Sequence, residues 1–322
     1  MIRLHAHFRQ LRSLVALAVL AAAIPAQALE TVKFMAPGST GGGYDQTARS
    51  LGKALQEASV AKGATYENKG GAGGTLGLAQ FVNGTKGDVN ALCVMGAIMV
   101  TGVVQNKPQI TLANATPIAR LFTEYNVIAV RKDAPQKTLG DLLAEFKKDP
   151  TSVKWGGGSK GSVDHIGIAQ LAGTIGVPID KLNYIPFGGG GEVVAATLGG
   201  HITAITGGYA ELSKYIESGQ FRVLAVGSPS RMAGINAPTL KEQGIDLEIG
   251  NWRGVYGAAG LTPAQRKELI DAVIAATKTK SWQDNLKSNA WNPSLLTGDE
   301  FANFVDGEHA RLRAMLVKVG LI

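Results

Sequence analysis

Three clusters of glycine and small hydroxyl residues carry the clearest chemistry in this sequence. Pro37-Gly38-Ser39-Thr40-Gly41-Gly42-Gly43-Tyr44-Asp45, Gly156-Gly157-Gly158-Ser159-Lys160-Gly161-Ser162 and Phe187-Gly188-Gly189-Gly190-Gly191 each follow a strand-like apolar run and open a helical pattern. A strand-to-helix junction concentrates unpaired backbone N–H groups and the positive end of a helix dipole. Glycine also lets a ligand approach the backbone closely, so the natural occupant is an anion. Several such junctions brought together would grip a carboxylate without arginine. The hydroxyls of Ser39, Thr40, Ser159 and Ser162 add short polar contacts, helix capping being their competing use. One cluster alone could equally be a tight turn, but three in one chain favour a binding site. Glycine supplies 42 of 322 residues, about 13% against a usual level near 7%, with no Gly-X-Y period.

A fourth cluster, Gly70-Gly71-Ala72-Gly73-Gly74-Thr75-Leu76-Gly77, has G-x-G-x-x-x-G spacing instead of the dinucleotide fingerprint, and no G-x-x-x-x-G-K-[ST] occurs. Nucleotide binding is not expected. Gly157 to Gly161 reads G-x-S-x-G, so the alternative reading is an exported serine hydrolase using Ser159. That chemistry needs a loop-borne histidine later in the chain. His165 falls in the same helix, His201 precedes a strand, and His309 lies in a charged terminal helix. No histidine clusters with acids at metal-ligand spacing, so neither a metal nor another cofactor is expected.

The elements that must position these loops alternate. Strand runs are expected at 31–36, 91–95, 127–130, 153–155, 182–186, 202–206, 223–226 and 255–258. Helices are expected around Ala48, Leu51 and Leu55, and at 139–148, 163–174, 192–198, 264–277 and 298–319. This is an α/β pattern with a mostly parallel sheet. Thr262-Pro263 supplies a cap residue and a first-turn proline to the penultimate of these helices. At 322 residues, 45% hydrophobic and 18% charged, the chain can bury the cores of about two domains. No linker separates them, so two lobes would require the chain to cross more than once.

Residues 1–28 read as a signal peptide. Arg3, Arg9 and Arg12 precede the apolar run Leu14 to Ile24, and Ala26-Gln27-Ala28 forms an A-x-A cleavage site. The run is too short for a membrane span. Losing those three arginines takes the formal charge from +7 to +4, too mild to suggest a nucleic-acid partner. The single cysteine, Cys93, sits in an apolar strand run and has no disulfide partner. It is also too far from the cleavage site to carry a lipid anchor. A free, monomeric, periplasmic protein is expected.

Taken together, the export signal, the Pro37 to Asp45 loop with Arg49, Asn68 to Gly74, Ile128 to Arg131 with Thr138-Leu139, Ser159 to His165 and Phe187 to Glu192 resemble the substrate-binding receptors of tripartite tricarboxylate transporters, the Bug-type receptors. Phe187 to Glu192 and Arg253-Gly254-Val255-Tyr256 are similar to the tricarboxylate (citrate) branch. The resemblance implies a type II periplasmic binding protein: two α/β lobes, joined by crossover strands, with a ligand cleft between them. It implies inner-membrane transporter subunits as partners, and no enzymatic activity. Ligand loops would be Gly38 to Asp45, Ser159 to Ser162 and Gly188 to Gly191, with Thr206-Gly207 at a further strand end. Thr206-Gly207-Gly208 departs from the family, which usually carries an acid there. Lobe 1 should combine 29–124 and 250–322, and lobe 2 should hold 125–249.

Lys160 beside the second loop and Arg253 at the return crossover would favour a ligand with two or three carboxylates, solvated surface charge being the competing explanation for each. Citrate should then bind more tightly than succinate, and succinate more tightly than acetate, with Arg253→Ala narrowing the first gap. Gly41→Val or Gly189→Val should damage binding more than folding. Trp155 and Trp252 lie near the second loop and the crossover, with core packing as their competing role.

Overall fold

The computed structural model describes residues 29–322, and the expected export signal, residues 1–28, lies outside them. The chain runs β1 (Leu29–Ala36), α1 (Gly43–Glu57), β2 (Ala61–Asn68), α2 (Thr75–Gly84), β3 (Ala91–Gly96) and α3 (Ala97–Asn106). Next come β4 (Thr116–Arg131), α4 (Leu139–Lys148), β5 (Trp155–Gly157), α5 (Val163–Thr174), β6 (Tyr184–Pro186), α6 (Gly190–Leu198), β7 (Ala204–Gly208), α7 (Tyr209–Glu217) and β8 (Phe221–Val226). The return segment holds β9 (Gly250–Gly257), α8 (Pro263–Thr277), α9 (Lys280–Ser288), β10 (Asn292–Thr297) and α10 (Gly298–Lys318).

Local chemistry explains several of these elements. All six residues of β3 are buried, the signature of a strand covered on both faces. In α1, Tyr44, Ala48, Leu51 and Leu55 are buried on one side. Thr138 and Asp141 form a reciprocal capping box that starts α4, with Asp141 N–H donating to Thr138 Oγ1 at 3.1 Å and Thr138 N–H donating to Asp141 Oδ2 at 2.8 Å. Thr262 and Gln265 do the same for α8, with Pro263 in its first turn.

Two lobes result, and β4 belongs to both. Its first ten residues pair with β9, in a sheet whose order from the edge is β2-β1-β3-β9-β4, with β10 also pairing on β4. Its residues from Asn126 onward pair with β7 and β8 in the second sheet, where β7-β5-β6 continues the order. The expected mostly parallel sheet needs correction. β1, β2 and β3 are mutually parallel, as are β5, β6 and β7, but both crossover strands β4 and β9 run antiparallel to their neighbours. A chain that leaves one lobe and returns must lay two opposed strands side by side, and Tyr125 pairs Gly250 at that junction.

Each sheet is packed on both faces. Phe34, Leu51, Phe122 and Trp282 fill one side of the first lobe, and Met95, Met99, Tyr256 and Phe301 the other. Phe146 and Trp155 centre one side of the second lobe, and Val127, Val193 and Ile205 the other. Trp155 packs edge-on against Phe146, while Trp252 Nε1 donates to Glu308 at 2.9 Å, so both tryptophans are core residues. Cys93 is buried, and burial pushes its thiol pKa up. Among the described residues no helix is long and apolar enough to cross a membrane.

Candidate functional site: the cleft between the lobes

Strands β1, β5, β6 and β7 end beside one another, so the loops that follow them face a single cleft, the usual place for a ligand in such sheets. A cavity of about 220 Å³ lies there. Gly38, Ser39, Gly42, Gly43 and Tyr44 line it from the first loop. Ser159 lines it from the second, Gly188, Gly189 and Gly190 from the third, and Thr206 and Arg253 from β7 and β9.

The remaining residues expected there do not line it. Thr40 is exposed and donates to Asn68 Oδ1 at 3.4 Å. Asp45 is buried beneath the loop, where it accepts from Gly41 N–H and from Arg49 Nε, both at 2.9 Å. Burial opposes its charge, yet the Arg49 guanidinium and the Gly41 amide hold its carboxyl below the usual range. Gly41 is a turn residue at φ +78°, so Gly41→Val would strain the fold itself. Ser162 caps α5 by accepting from His165 N–H at 3.4 Å. Gly161 donates its N–H to His165 Nδ1 at 3.0 Å. Gly191 is exposed at the first turn of α6, and Lys160 points to a separate groove shared with Lys318.

The largest correction concerns the amides. Each glycine loop already binds a carboxylate of this same chain, and three of those acids come from the helix that follows. Gly41 N–H donates to Asp45, Gly158 N–H to Asp164 at 2.8 Å, and Gly188 N–H to Glu192 at 2.9 Å. Gly43 N–H, at the start of α1, donates to Glu211 Oε1 of the opposite lobe at 3.1 Å. The first N–H groups of α6, at Gly190 and Gly191, have no intrahelical acceptor by helix geometry.

Arg253 is the centre of the site. It is only 2% exposed, which rules out a solvated surface charge. Its Nε and Nη2 donate to Glu124 Oε1 at 2.9 and 2.7 Å, and its guanidinium lies 4.7 Å above the Tyr44 ring. Nη2 is also 4.0 Å from Glu211 Oε1. Arg253 Nη1 and the Tyr44 hydroxyl are buried with no hydrogen-bond partner among the described residues. At 4 Å, unit charges in partly buried surroundings interact by about 4 kcal/mol, so two acids compete for one guanidinium.

Sequence reasoning missed these acids. Asp164 and Glu211 line the cavity, and Glu124 lies directly behind it. Burial, reinforced by the charge of Glu124 and opposed by Arg253, pushes Glu211 up to about 7. Burial likewise raises Asp164, although Asn126 Nδ2 donates to it at 2.6 Å and Gly158 N–H donates to it as well. Asn126 Nδ2 also reaches Thr206 Oγ1 at 3.4 Å. Where the chain lacks an acid after Thr206, the Glu124 carboxylate takes up the space beside Gly208. The fourth glycine cluster was given no place in the ligand site, yet Gly71, Ala72, Gly73 and Gly74 form a positive-φ loop that closes one wall.

Among the described residues, none of the later histidines is placed as a base for Ser159. Ser159 lines the cavity, but His165 Nδ1 is engaged by Gly161, its ring stacks 4.1 Å from Tyr184, and burial lowers its pKa to about 4. His201 and His309 lie outside the cavity.

The lobes touch across the cleft through Ser39 Oγ to Glu192 Oε1 at 3.3 Å, Gly43 to Glu211, and an apolar contact of Val104 and Leu316 with Ile166. Two α/β lobes joined by crossover strands around such a cleft define a type II periplasmic solute-binding protein. The chain belongs to the tripartite tricarboxylate transporter receptor family: the model for TctC, the tripartite tricarboxylate transporter family receptor, matches residues 47–321. It is 25% identical over 294 residues to Protein BugT of Bordetella pertussis, covering 90% of this chain and 89% of that protein. A crystal structure of a TctC solute-binding protein from Polaromonas is 32% identical with a TM-score of 0.64, covering 90% and 98% of the two chains. MatC from Rhodopseudomonas palustris with bound malate shares the fold at a TM-score of 0.77 and 21% identity, covering 89% and 99%.

Proposed function

We propose that this receptor captures an organic polycarboxylate, a citrate-like tricarboxylate or a dicarboxylate, in the interlobe cleft. It then delivers the acid to the inner-membrane subunits of a tripartite tricarboxylate transporter. In this reading the protein is exported, cleaved after Ala28, and acts in the periplasm as a monomer that performs no chemistry. Residues 29–124 with 250–322, and 125–249, act as the two rigid bodies. The observation that carries the reading is Arg253 Nη1, a buried, unpartnered cationic donor in the cavity wall. Ser39, Gly189, Gly190 and Thr206 surround the same space and supply short polar contacts.

A thermal-shift panel of citrate, malate, succinate and acetate tests this. A ligand at 100 times its Kd stabilises the fold by about 2.7 kcal/mol, a Tm rise of roughly 5–10 °C for a protein of this size. The expected order is citrate or malate above succinate, with acetate weakest. No shift with any of the four would remove the carboxylate reading. Steady hydrolysis of a chromogenic ester, abolished by Ser159→Ala, would replace it with the hydrolase.

A further inference from the structure

Charge balance in the cleft does not suit a polyanion as it stands. Arg253 is the one cation among the residues lining the cavity, and Glu124 already pairs with it. Glu211 and Asp164 bring two more carboxyls into the same wall. Every charged or titratable group facing Glu211 can be named by element. Arg253 comes from β9, Glu124 from β4, Asp164 from α5 and Tyr44 from α1, while α6 presents only Gly190 and Val193. The Glu211 carboxyl takes up the space that a Cβ on Gly190 would fill, so Gly190 closes that side of it. Its Oε1 already occupies the N-terminus of α1 through Gly43 N–H, the position a ligand carboxylate would seek.

We propose that Glu211 holds the ligand's place in the cleft of the free protein and that carboxylate binding takes up one proton from solvent onto Glu211, which then donates a hydrogen bond to the bound carboxylate. The inference rests on the carboxylate reading above and adds proton linkage to it. The sign follows from the ordering of states. Burial and the neighbouring Glu124 hold free Glu211 near 7, and a bound anion raises it further, so affinity is constant below that value and falls as pH rises through it.

Titration calorimetry with malate and citrate, from pH 6.0 to 8.5, reads this directly. Malate is the cleaner probe because both its carboxyls stay ionised over that range. Its Kd should weaken about 30-fold between pH 6.0 and 8.5, with proton uptake near one per ligand at the upper end in phosphate against Tris buffers. Glu211→Gln should flatten the profile, bind more tightly than wild type at pH 8.5 and take up no proton. Glu211→Ala serves the same comparison should the glutamine variant fold poorly. A flat profile without proton uptake in wild type, or an undiminished slope in the variants, overturns the proton step alone. Silence from both acids at every pH overturns the carboxylate reading and this inference together.

Discussion

Arg253→Ala is expected to lower Tm by roughly 6–20 °C, because stripping one partner from a buried ion pair costs about 3–5 kcal/mol. Glu124 is only 2% exposed, and without Arg253 its nearest remaining donor is Asn251 Nδ2 at 3.2 Å. A carboxylate left uncompensated there destabilises the junction at which both crossover strands meet. The double variant Arg253→Met with Glu124→Gln removes both charges and should recover most of the loss. Urea denaturation of the three proteins checks this, and a fully stable Arg253→Ala would mean that the pair is not buried in solution. The expectation that this variant merely narrows the gap between citrate and succinate therefore has to be tested on protein shown to be folded. Its loss of affinity would otherwise report the collapse of the Glu124 pair.

Gly189→Val is expected to weaken ligand binding roughly ten- to a hundredfold while leaving the separate lobes folded, since overpacking a formed contact costs about 1–3 kcal/mol. Gly189 has an extended backbone, with φ at 177°, so valine adds no local strain. A Cβ there would stand 2.9 Å from Ser39 Cβ of the opposite lobe. The added methyl groups wedge the lobes apart and disfavour the closed arrangement that brings Ser39 to Glu192 and Gly43 to Glu211. Calorimetry measures the affinity, and small-angle scattering should show a larger radius of gyration in the variant. Unchanged values in both would place the ligand away from this contact.

The α/β alternation and the glycine loops were legible because their signals are local: apolar runs, then turn residues, then helical spacing. The long crossover was legible only at Val127–Val130. Its first part carries Arg120, Thr123 and Glu124, polar residues whose partners lie on β10 and β9. Helix α3 follows β3 with no break in apolar character, and only Gly96 separates them, so periodicity has nothing to divide. Apart from Asp45, which the sequence already placed in the first ligand loop, the acids of the site were hidden for a different reason. Asp45, Asp164, Glu192 and Glu211 all sit in first helical turns, where carboxylates are favoured by the helix dipole alone. Three of them reach back to the preceding glycine loop, and an acid a few residues after each cluster was the available signal. Glu211 was beyond reach, since its partner Gly43 is 168 residues away and meets it only once the lobes are folded together. Arg253 itself was legible, but its burial was not, because its partner Glu124 comes from the other crossover strand.

A crystal structure grown with citrate or malate at pH 6.0 tests the central claim most directly. The account predicts one acid in the interlobe cavity, with a carboxylate against Arg253 Nη1 and within hydrogen-bonding distance of Glu211, bounded by Ser39 and Gly189. An acid seated instead in the groove between Lys160 and Lys318, with the cleft unchanged, would contradict it.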